Sequence, residues 1–518
     1  MSLGQSPGRR HGQSFGQSLV DGVRAAGPRE VLVCGRRRLT GDDVLAMVAG
    51  AASALHARGV RPGDPIACMS GWQPESTVAR LVTLALGCPV IHLLPGLPAE
   101  VAAETVRALG ASVLLHEPSR QDDADQLLEA RPLPVSYRLD ADLFGTPHCR
   151  LVEVPGTRPG ALSAVTFSYD TTGECKPVAY SQDAEAAQLA AARAICGPGP
   201  WRFLVPPGHY LPNQIVLWTL AGGGTAVLLE DADVGREAEV AVRERVTQVL
   251  AGRPHEFHAL AGPLGSARAA GASDVRLVMY GGAPAVPARS REAIAALGPV
   301  AVQCYGLTEG GFVTALSPGD HLRPGLLASV GRPVRGVELR VRGQDGVELP
   351  AGEVGEVWVR SAQIMAGYVG DPAATARALR DGWLRTGDLG RLDAEGYLFL
   401  VDRVETRLSP GVHAYPIEHV LTGHPAVADA AVFALPDEGE QVVAGAVVSR
   451  GGAEVDLEAL RALVRGSLGA SCEPRHLWLV DELPRTPGGK PDKAALHARY
   501  QAALRARSRL VADGVPVS

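Results

Sequence analysis

Pro65-Ile-Ala-Cys-Met69, Glu75-Ser-Thr-Val-Ala-Arg-Leu-Val-Thr-Leu-Ala-Leu-Gly87 and Pro89-Val-Ile-His-Leu93 follow one another with little between them. The outer two are short runs, apolar but for His92, as buried strands are. The middle one repeats its apolar residues at helical spacing and stops at a glycine. The alternation extends both ways. Residues 42–58 put Val44, Leu45, Val48, Ala52 and Leu55 on one helical face and stop at Gly59, while 100–109 read as a helix ending at Gly110 and 112–115 as a strand. A βαβαβ series implies a mostly parallel sheet with helices on its faces. A second series has strands at 202–205, 226–229 and 275–279, with helices at 183–195 and 237–250. From about 330 to 400, short β-rich runs (338–342, 355–360, 397–401) lie between Gly- and Asp-rich turns, predicting a small antiparallel barrel or sheet. A compact unit follows: helix 416–421, strands 427–434 and 442–448, helix 457–468, strand 477–480. The expected fold class is therefore α/β. A large N-terminal domain holds two βα-layered parallel-sheet subdomains plus a small β-barrel, and a small α+β domain ends the chain. The expected boundaries are a disordered terminus at 1–20, then domains at 21–402 and 403–518.

Composition narrows the function classes. Gly (61) and Pro (39) make up about a fifth of the 518 residues, so turns abound, and 46% hydrophobic content is ample for a packed core. A net charge of −6 gives no general attraction to nucleic acid or anionic lipid. No apolar run reaches the ~18 residues of a membrane span, and 1–16 lack the apolar region of a signal peptide. The eight cysteines contain no C-x-x-C pair and read as free thiols in a reducing cytoplasm. Only Lys176, Lys490 and Lys493 are lysines among 50 basic residues. Lysines this scarce point to places that need a compact ammonium rather than a planar fork.

Five segments carry possible chemistry. Thr166-Phe-Ser-Tyr-Asp-Thr-Thr-Gly-Glu-Cys-Lys-Pro177 joins an apolar run to a helix. Thr171 and Thr172 can donate to phosphate oxygens, Gly173 admits backbone N–H groups, and Lys176 adds a point charge. It is not a P-loop, because G-x-x-x-x-G-K-[ST] is absent. Cys304-Tyr-Gly-Leu-Thr-Glu-Gly310 ends an apparent strand, where ligand crevices of open α/β sheets lie. Tyr305 offers a flat face for a base, and Thr308 and Glu309 offer oxygens for Mg²⁺. Met279-Tyr-Gly-Gly-Ala-Pro284 can shape a wall. Leu384-Arg-Thr-Gly-Asp388, followed by Asp402-Arg403, supplies a carboxylate of the kind that holds a ribose diol. Pro484-Arg-Thr-Pro-Gly-Gly-Lys490-Pro-Asp-Lys493 places a lysine on a mobile loop suited to entering a site from another domain.

Taken in order, Thr171-Thr172-Gly173…Lys176, Tyr305-Gly306-Leu307-Thr308-Glu309, Thr386-Gly387-Asp388, Asp402-Arg403 and Gly488-Gly489-Lys490 resemble the core motifs of acyl-adenylate-forming enzymes. That superfamily holds acyl- and aryl-CoA ligases, peptide-synthetase adenylation domains and luciferases. The match spans about residues 40 to 500. The resemblance implies attack of a carboxylate on the α-phosphorus of ATP with loss of pyrophosphate. It implies that Thr171, Thr172, Gly173 and Lys176 hold phosphates and that Tyr305, Gly306 and the Gly282-Ala283-Pro284 wall hold adenine. Asp388 and Arg403 hold ribose, and Glu309 and Thr308 hold Mg²⁺ and share in catalysis. Lys490 bridges the carboxylate and α-phosphate as the main catalytic residue. The C-terminal domain then swings about a hinge at Glu405. His209 in Leu204-Val-Pro-Pro-Gly-His209 resembles the acyl-pocket residue of acid ligases.

The acceptor implied first is a thiol, of CoA or a carrier protein. Two departures bear on it. The phosphate loop carries Asp170, Cys175 and Pro177 in place of the usual residues, and the segment after Arg403 is one residue shorter than the usual pattern. In CoA ligases that segment helps form the thiol channel. An amide synthetase of the aminocoumarin acyl ligase type, passing the acyl group to an amine in antibiotic assembly, is the alternative. A non-catalytic relative that binds a nucleotide or acyl ligand is the reading from a different class. Gly12-Gln-Ser14-Phe-Gly16 matches a nucleophile elbow without the strand it needs, and His255 and His258 lack a third metal ligand nearby.

Overall fold

The structure, a computed structural model, describes residues 14–145, 154–155, 158, 160–169, 175–208, 210–231, 233–404, 408–409, 411–437, 440–485 and 491–512. Its contacts divide it into two units: residues 1–166, 179–193 and 197–230 form one, and 167–178, 194–196 and 231–518 the other.

In the first unit residues 65–93 fold as their pattern predicts. Strands Ile66–Met69, Val90–His92, Val113–His116 and Val135–Arg138 are parallel, and Leu162–Tyr169 joins the edge beside Val90–His92. Helices Pro74–Leu86 and Ala99–Leu109 make two of the crossovers, and each stops at a left-handed glycine, Gly87 (φ 67°) and Gly110 (φ 71°). Helix Gly41–Ala57 starts in a capping box between Thr40 and Asp43. A second sheet runs Arg202–Val205, Thr225–Leu228, Glu30–Cys34, all parallel, with Arg37–Thr40 antiparallel at the edge. Residues 15–20, expected to be disordered, instead open helix Phe15–Ala26. Phe15, Leu19, Val20 and Val23 fall on one face and are buried. The rest of that expectation, residues 1–13, lies outside the described residues.

In the second unit, Gln248–Leu250, Leu277–Gly281 and Ala301–Leu307 are parallel, extended by antiparallel Gly311–Leu316 and Arg332–Pro333. The helix expected over 237–250 is shorter, Val234–Arg243, because Arg245 takes a left-handed φ of 53° and a strand follows. A curled antiparallel sheet comprises Val337–Arg342, Gly355–Ser361, Trp383–Leu392, Leu379–Arg380 and Leu398–Arg403. The C-terminal segment has a three-stranded sheet, Val427–Asp437 between helices that use its two faces. Val432 packs with Ile417, Leu421, Leu460 and Val464 on one side, and Phe433 with Leu496 and Tyr500 on the other. Lys493 closes this segment: its Nζ lies 2.8 Å from Glu418 Oε1, over the Tyr415 ring. Among the described residues no helix is long and apolar enough to cross a membrane.

Glu237 is an energetic oddity in this unit. It is 4% exposed, and its Oε2 has no partner among the described residues. Burial, then the charges of Glu256 and Asp233, push its carboxyl up to about 7 from 4.5. A raised folded pKa means stability that is complete below the unfolded value and is lost as pH rises to about 7. Glu237→Gln is therefore expected to match the native chain near pH 4.5 and to be more stable by roughly 1–3 kcal/mol at pH 8. Urea titrations at both pH values check this, and an equal difference at both would refute it.

Candidate active site

Strand Leu277–Gly281 lies beside Ala301–Leu307 in parallel register, Gly281 opposite Cys304. A side chain at Gly281 would run into the Cys304 carbonyl, so the two strand ends close up only with glycine there. The chain then turns at Gly282 (φ 73°), and Gly282-Ala283-Pro284 follows at the carboxyl end of the strand next to the one carrying Tyr305. Tyr305 is buried, and its hydroxyl donates to Asp388 Oδ2 at 2.6 Å. Burial and the Asp388 charge push the phenol well up, so it stays a donor. Arg403 Nε lies 3.3 Å from the other oxygen, Asp388 Oδ1, because Asp388 and Arg403 are direct partners in the curled sheet. Thr386 steadies the turn: its hydroxyl donates to the Val357 carbonyl and accepts from the Asp388 N–H. Each carboxylate oxygen retains a further lone pair for a ligand hydroxyl.

Thr308 and Glu309 sit in the turn between Ala301–Leu307 and Gly311–Leu316. Glu309 is held twice, Oε1 accepting from the Tyr368 hydroxyl at 3.0 Å and its carbonyl from the Met365 N–H at 2.8 Å. Tyr368 belongs to Gly367–Tyr368, next in the sheet to Cys175–Ser181, and the Val369 N–H bonds the Pro177 carbonyl. That places Lys176 in the strand neighbouring the one whose tyrosine holds Glu309. Among the described residues no group of three or more His, Cys, Asp or Glu could cage a metal. A carboxylate and a hydroxyl fit Mg²⁺ that arrives with substrate phosphates, which needs one or two carboxylates rather than a full protein cage.

Lys176, Gly282, Ala283, Pro284, Tyr305, Gly306, Thr308, Glu309, Asp388 and Arg403 thus all lie in the second unit, with Tyr305, Asp388 and Arg403 in direct contact. Thr171, Thr172, Gly173, His209, Glu405 and Lys490 lie outside the described residues. Tyr368 was missed from sequence: it stands in none of the five segments that carry the chemistry, and only the fold brings it to Glu309.

The first unit holds a cavity of about 410 Å³, lined in part by Trp72, Arg80, His92, Thr166, Tyr210 and Gln214. Beneath it, both oxygens of Glu185 bond Arg80 Nη2, at 2.8 and 2.7 Å, and both side chains are almost wholly buried. Tyr210 donates to Gln188 at 2.9 Å, accepts from Gln214 at 2.7 Å, and stacks on Tyr180. Burial, then the Arg80 charge, push His92 down to about 3, so its imidazole is neutral near pH 7. The signal available in sequence was an arginine inside an otherwise apolar helical run, Val78-Ala-Arg80-Leu-Val82.

The sequence model of the AMP-binding enzyme matches residues 21–369, and that of the AMP-binding enzyme C-terminal domain matches residues 416–490. The chain belongs to the AMP-binding enzyme family and is an AMP-forming ligase that uses ATP. Among its relatives, a feruloyl-CoA synthase of an Amycolatopsis species is 31% identical over 480 residues, 90% of this chain and 95% of that one. A medium/long-chain-fatty-acid–CoA ligase of Mycobacterium tuberculosis, FadD8, is 29% identical over 94% of this chain and 90% of its own. Among solved structures, the amide bond synthetase McbA from Marinactinospora thermotolerans is 38% identical with a TM-score of 0.86, covering 94% of this chain and 99% of that one.

Proposed function

We propose that this ligase activates a carboxylic acid as its acyl-AMP and passes the acyl group to an amine. The Tyr305–Asp388–Arg403 cluster is the observation that carries the first half. It presents a flat ring, and a carboxylate held by a phenol and a guanidinium, at the carboxyl end of a parallel strand, which suits a nucleoside. In the first half-reaction a carboxylate oxygen bonds to the α-phosphorus while the bond to the β-phosphate oxygen breaks and pyrophosphate leaves. Thr171, Thr172, Gly173 and Lys176 hold the phosphates, Mg²⁺ with Glu309 and Thr308 offsets their charge, and Lys490 bridges the two reacting anions. A boundary at 402/403 with a hinge at Glu405 lets the 403–518 domain carry Lys490 in and out, and His209 faces the acid. In the second half-reaction the amine nitrogen bonds to the acyl carbon, AMP leaves with the electron pair, and the nitrogen gives up a proton.

The amine is placed first because two observations favour it. The 38% identity to an amide bond synthetase runs over nearly the whole chain. By the resemblance, the segment after Arg403, which in CoA ligases helps form the thiol channel, is one residue shorter than the usual pattern. CoA is the second reading, favoured by the CoA ligases at 31% and 29% identity. Mass spectrometry of reactions offering one activated acid with both CoA and a set of amines decides between them. The proposal expects an amide and no thioester, and a thioester alone would reverse it. Tyr305→Phe keeps the ring but removes the hydroxyl on Asp388, and is expected to raise KM for ATP roughly tenfold with kcat within a factor of about two. A kcat loss with KM unchanged would contradict the positioning role.

A further inference from the structure

The cavity of the first unit has properties that the ligase chemistry does not account for. Three of its lining residues each carry a buried polar atom with no partner among the described residues: the Trp72 indole N–H, the Arg80 Nε–H and the Thr166 hydroxyl. Arg80 is 3% exposed and Thr166 0%, so neither residue is turned toward bulk solvent. Buried donors left unpaired weaken any ligand that seals them off from water, whereas an acceptor placed on them recovers the loss. The rest of the lining includes apolar Leu93, Leu94, Pro95 and Leu217. A volume of about 410 Å³ lies in the range of small-molecule sites.

Charge narrows the ligand further. The Arg80 guanidinium is matched by the Glu185 carboxylate through two bonds, and Ser163 also donates to that carboxylate. His92, pushed down by burial and by Arg80, carries no charge near pH 7. A charged group entering the cavity therefore finds no unmatched countercharge among these residues. The walls also place the cavity relative to the acid segment. Pro207, Gly208 and Tyr210 line it and flank position 209 in the chain.

We propose that this cavity takes the body of the carboxylic acid, and that this body is neutral and bears hydrogen-bond acceptors (a ring nitrogen, an ether or phenol oxygen, a carbonyl) rather than being plain hydrocarbon. The assignment to the acid rests on the ligase reading of the previous section; the selectivity of the cavity does not. Calorimetry on the full chain tests it with matched acids that differ by one atom: 4-methoxycinnamate against 4-ethylcinnamate, and quinoline-6-carboxylate against naphthalene-2-carboxylate, with decanoate as the alkyl acid. The acceptor-bearing member of at least one pair is expected to bind roughly tenfold more tightly, a difference of about 1.4 kcal/mol. Thr166→Val, which keeps the shape, or Trp72→Phe should bring that ratio close to one. The proposal is overturned if no acid binds, if the hydrocarbon members or decanoate bind as well as the others, or if the ratio survives in both variants. Pyrophosphate exchange with the same acids separates the two claims. Selective binding without exchange would retain the cavity's role and refute the ligase reading. Exchange that favours decanoate would do the reverse.

Discussion

Lys490→Ala is expected to lower acid-dependent adenylation by roughly a thousandfold while largely sparing transfer from preformed acyl-AMP. Two anions must meet in line, the acid carboxylate and the α-phosphate, and an ammonium between them offsets their repulsion and fixes their approach. The effect is large because the charge acts where negative charge gathers in the transition state, so its loss falls on kcat. Arginine is not expected to replace it, since a planar fork cannot sit as a point charge between two oxygens on different groups. Rapid-quench assays of the two half-reactions check this, and equal loss in both would contradict the alternating role. Lys493 is the control. It is bound to Glu418 and packs on Tyr415 inside the C-terminal segment. Lys493→Met is expected to lower melting temperature and to leave the ratio of the half-reaction rates unchanged.

The second large effect is on stability. The side chains of Arg80 and Glu185 are 4% and 1% exposed, with both Glu185 oxygens on Arg80 Nη2 and further bonds from Arg80 to Thr83 and Ser163. Removing one partner strands a buried charge, which costs about 3–5 kcal/mol, whereas replacing both by apolar groups is often close to neutral. Arg80→Met is thus expected to lower melting temperature by on the order of 10 °C, and Arg80→Met with Glu185→Leu to recover most of it. A double-mutant cycle in urea measures the coupling. A single-variant loss below about 1 kcal/mol would show that the pair contributes little.

Much of this architecture is legible in the chain because local signals agree with the fold. The helix predicted over 100–109 is Ala99–Leu109, ended by the glycine that marks it, and the strand predicted over 202–205 is Arg202–Val205. The misses have physical causes. Phe15, Leu19, Val20 and Val23 are apolar residues in a polar terminus, and their face counts only once another element covers it. The long helix over 237–250 failed at Arg245, whose left-handed backbone gives no signal in residue type. For the candidate site, ordered motifs carry Tyr305, Asp388 and Arg403, and the sheet register explains why Asp388 and Arg403 touch, while the Tyr305 contact comes from the fold. Tyr368 and the Arg80 cavity were not legible, since each depends on contacts between residues far apart in sequence.

In the proposed function the ring of Tyr305 and the carboxylate of Asp388 receive ATP while a carboxylate becomes a mixed anhydride with its α-phosphate. Exchange of labelled pyrophosphate into ATP, run with and without a panel of acids, measures that step directly. Exchange is expected to require an acid and to fall at least a hundredfold in Asp388→Ala, roughly the loss of a charge-assisted contact. Exchange independent of any acid, or undiminished without the Asp388 carboxylate, would contradict it.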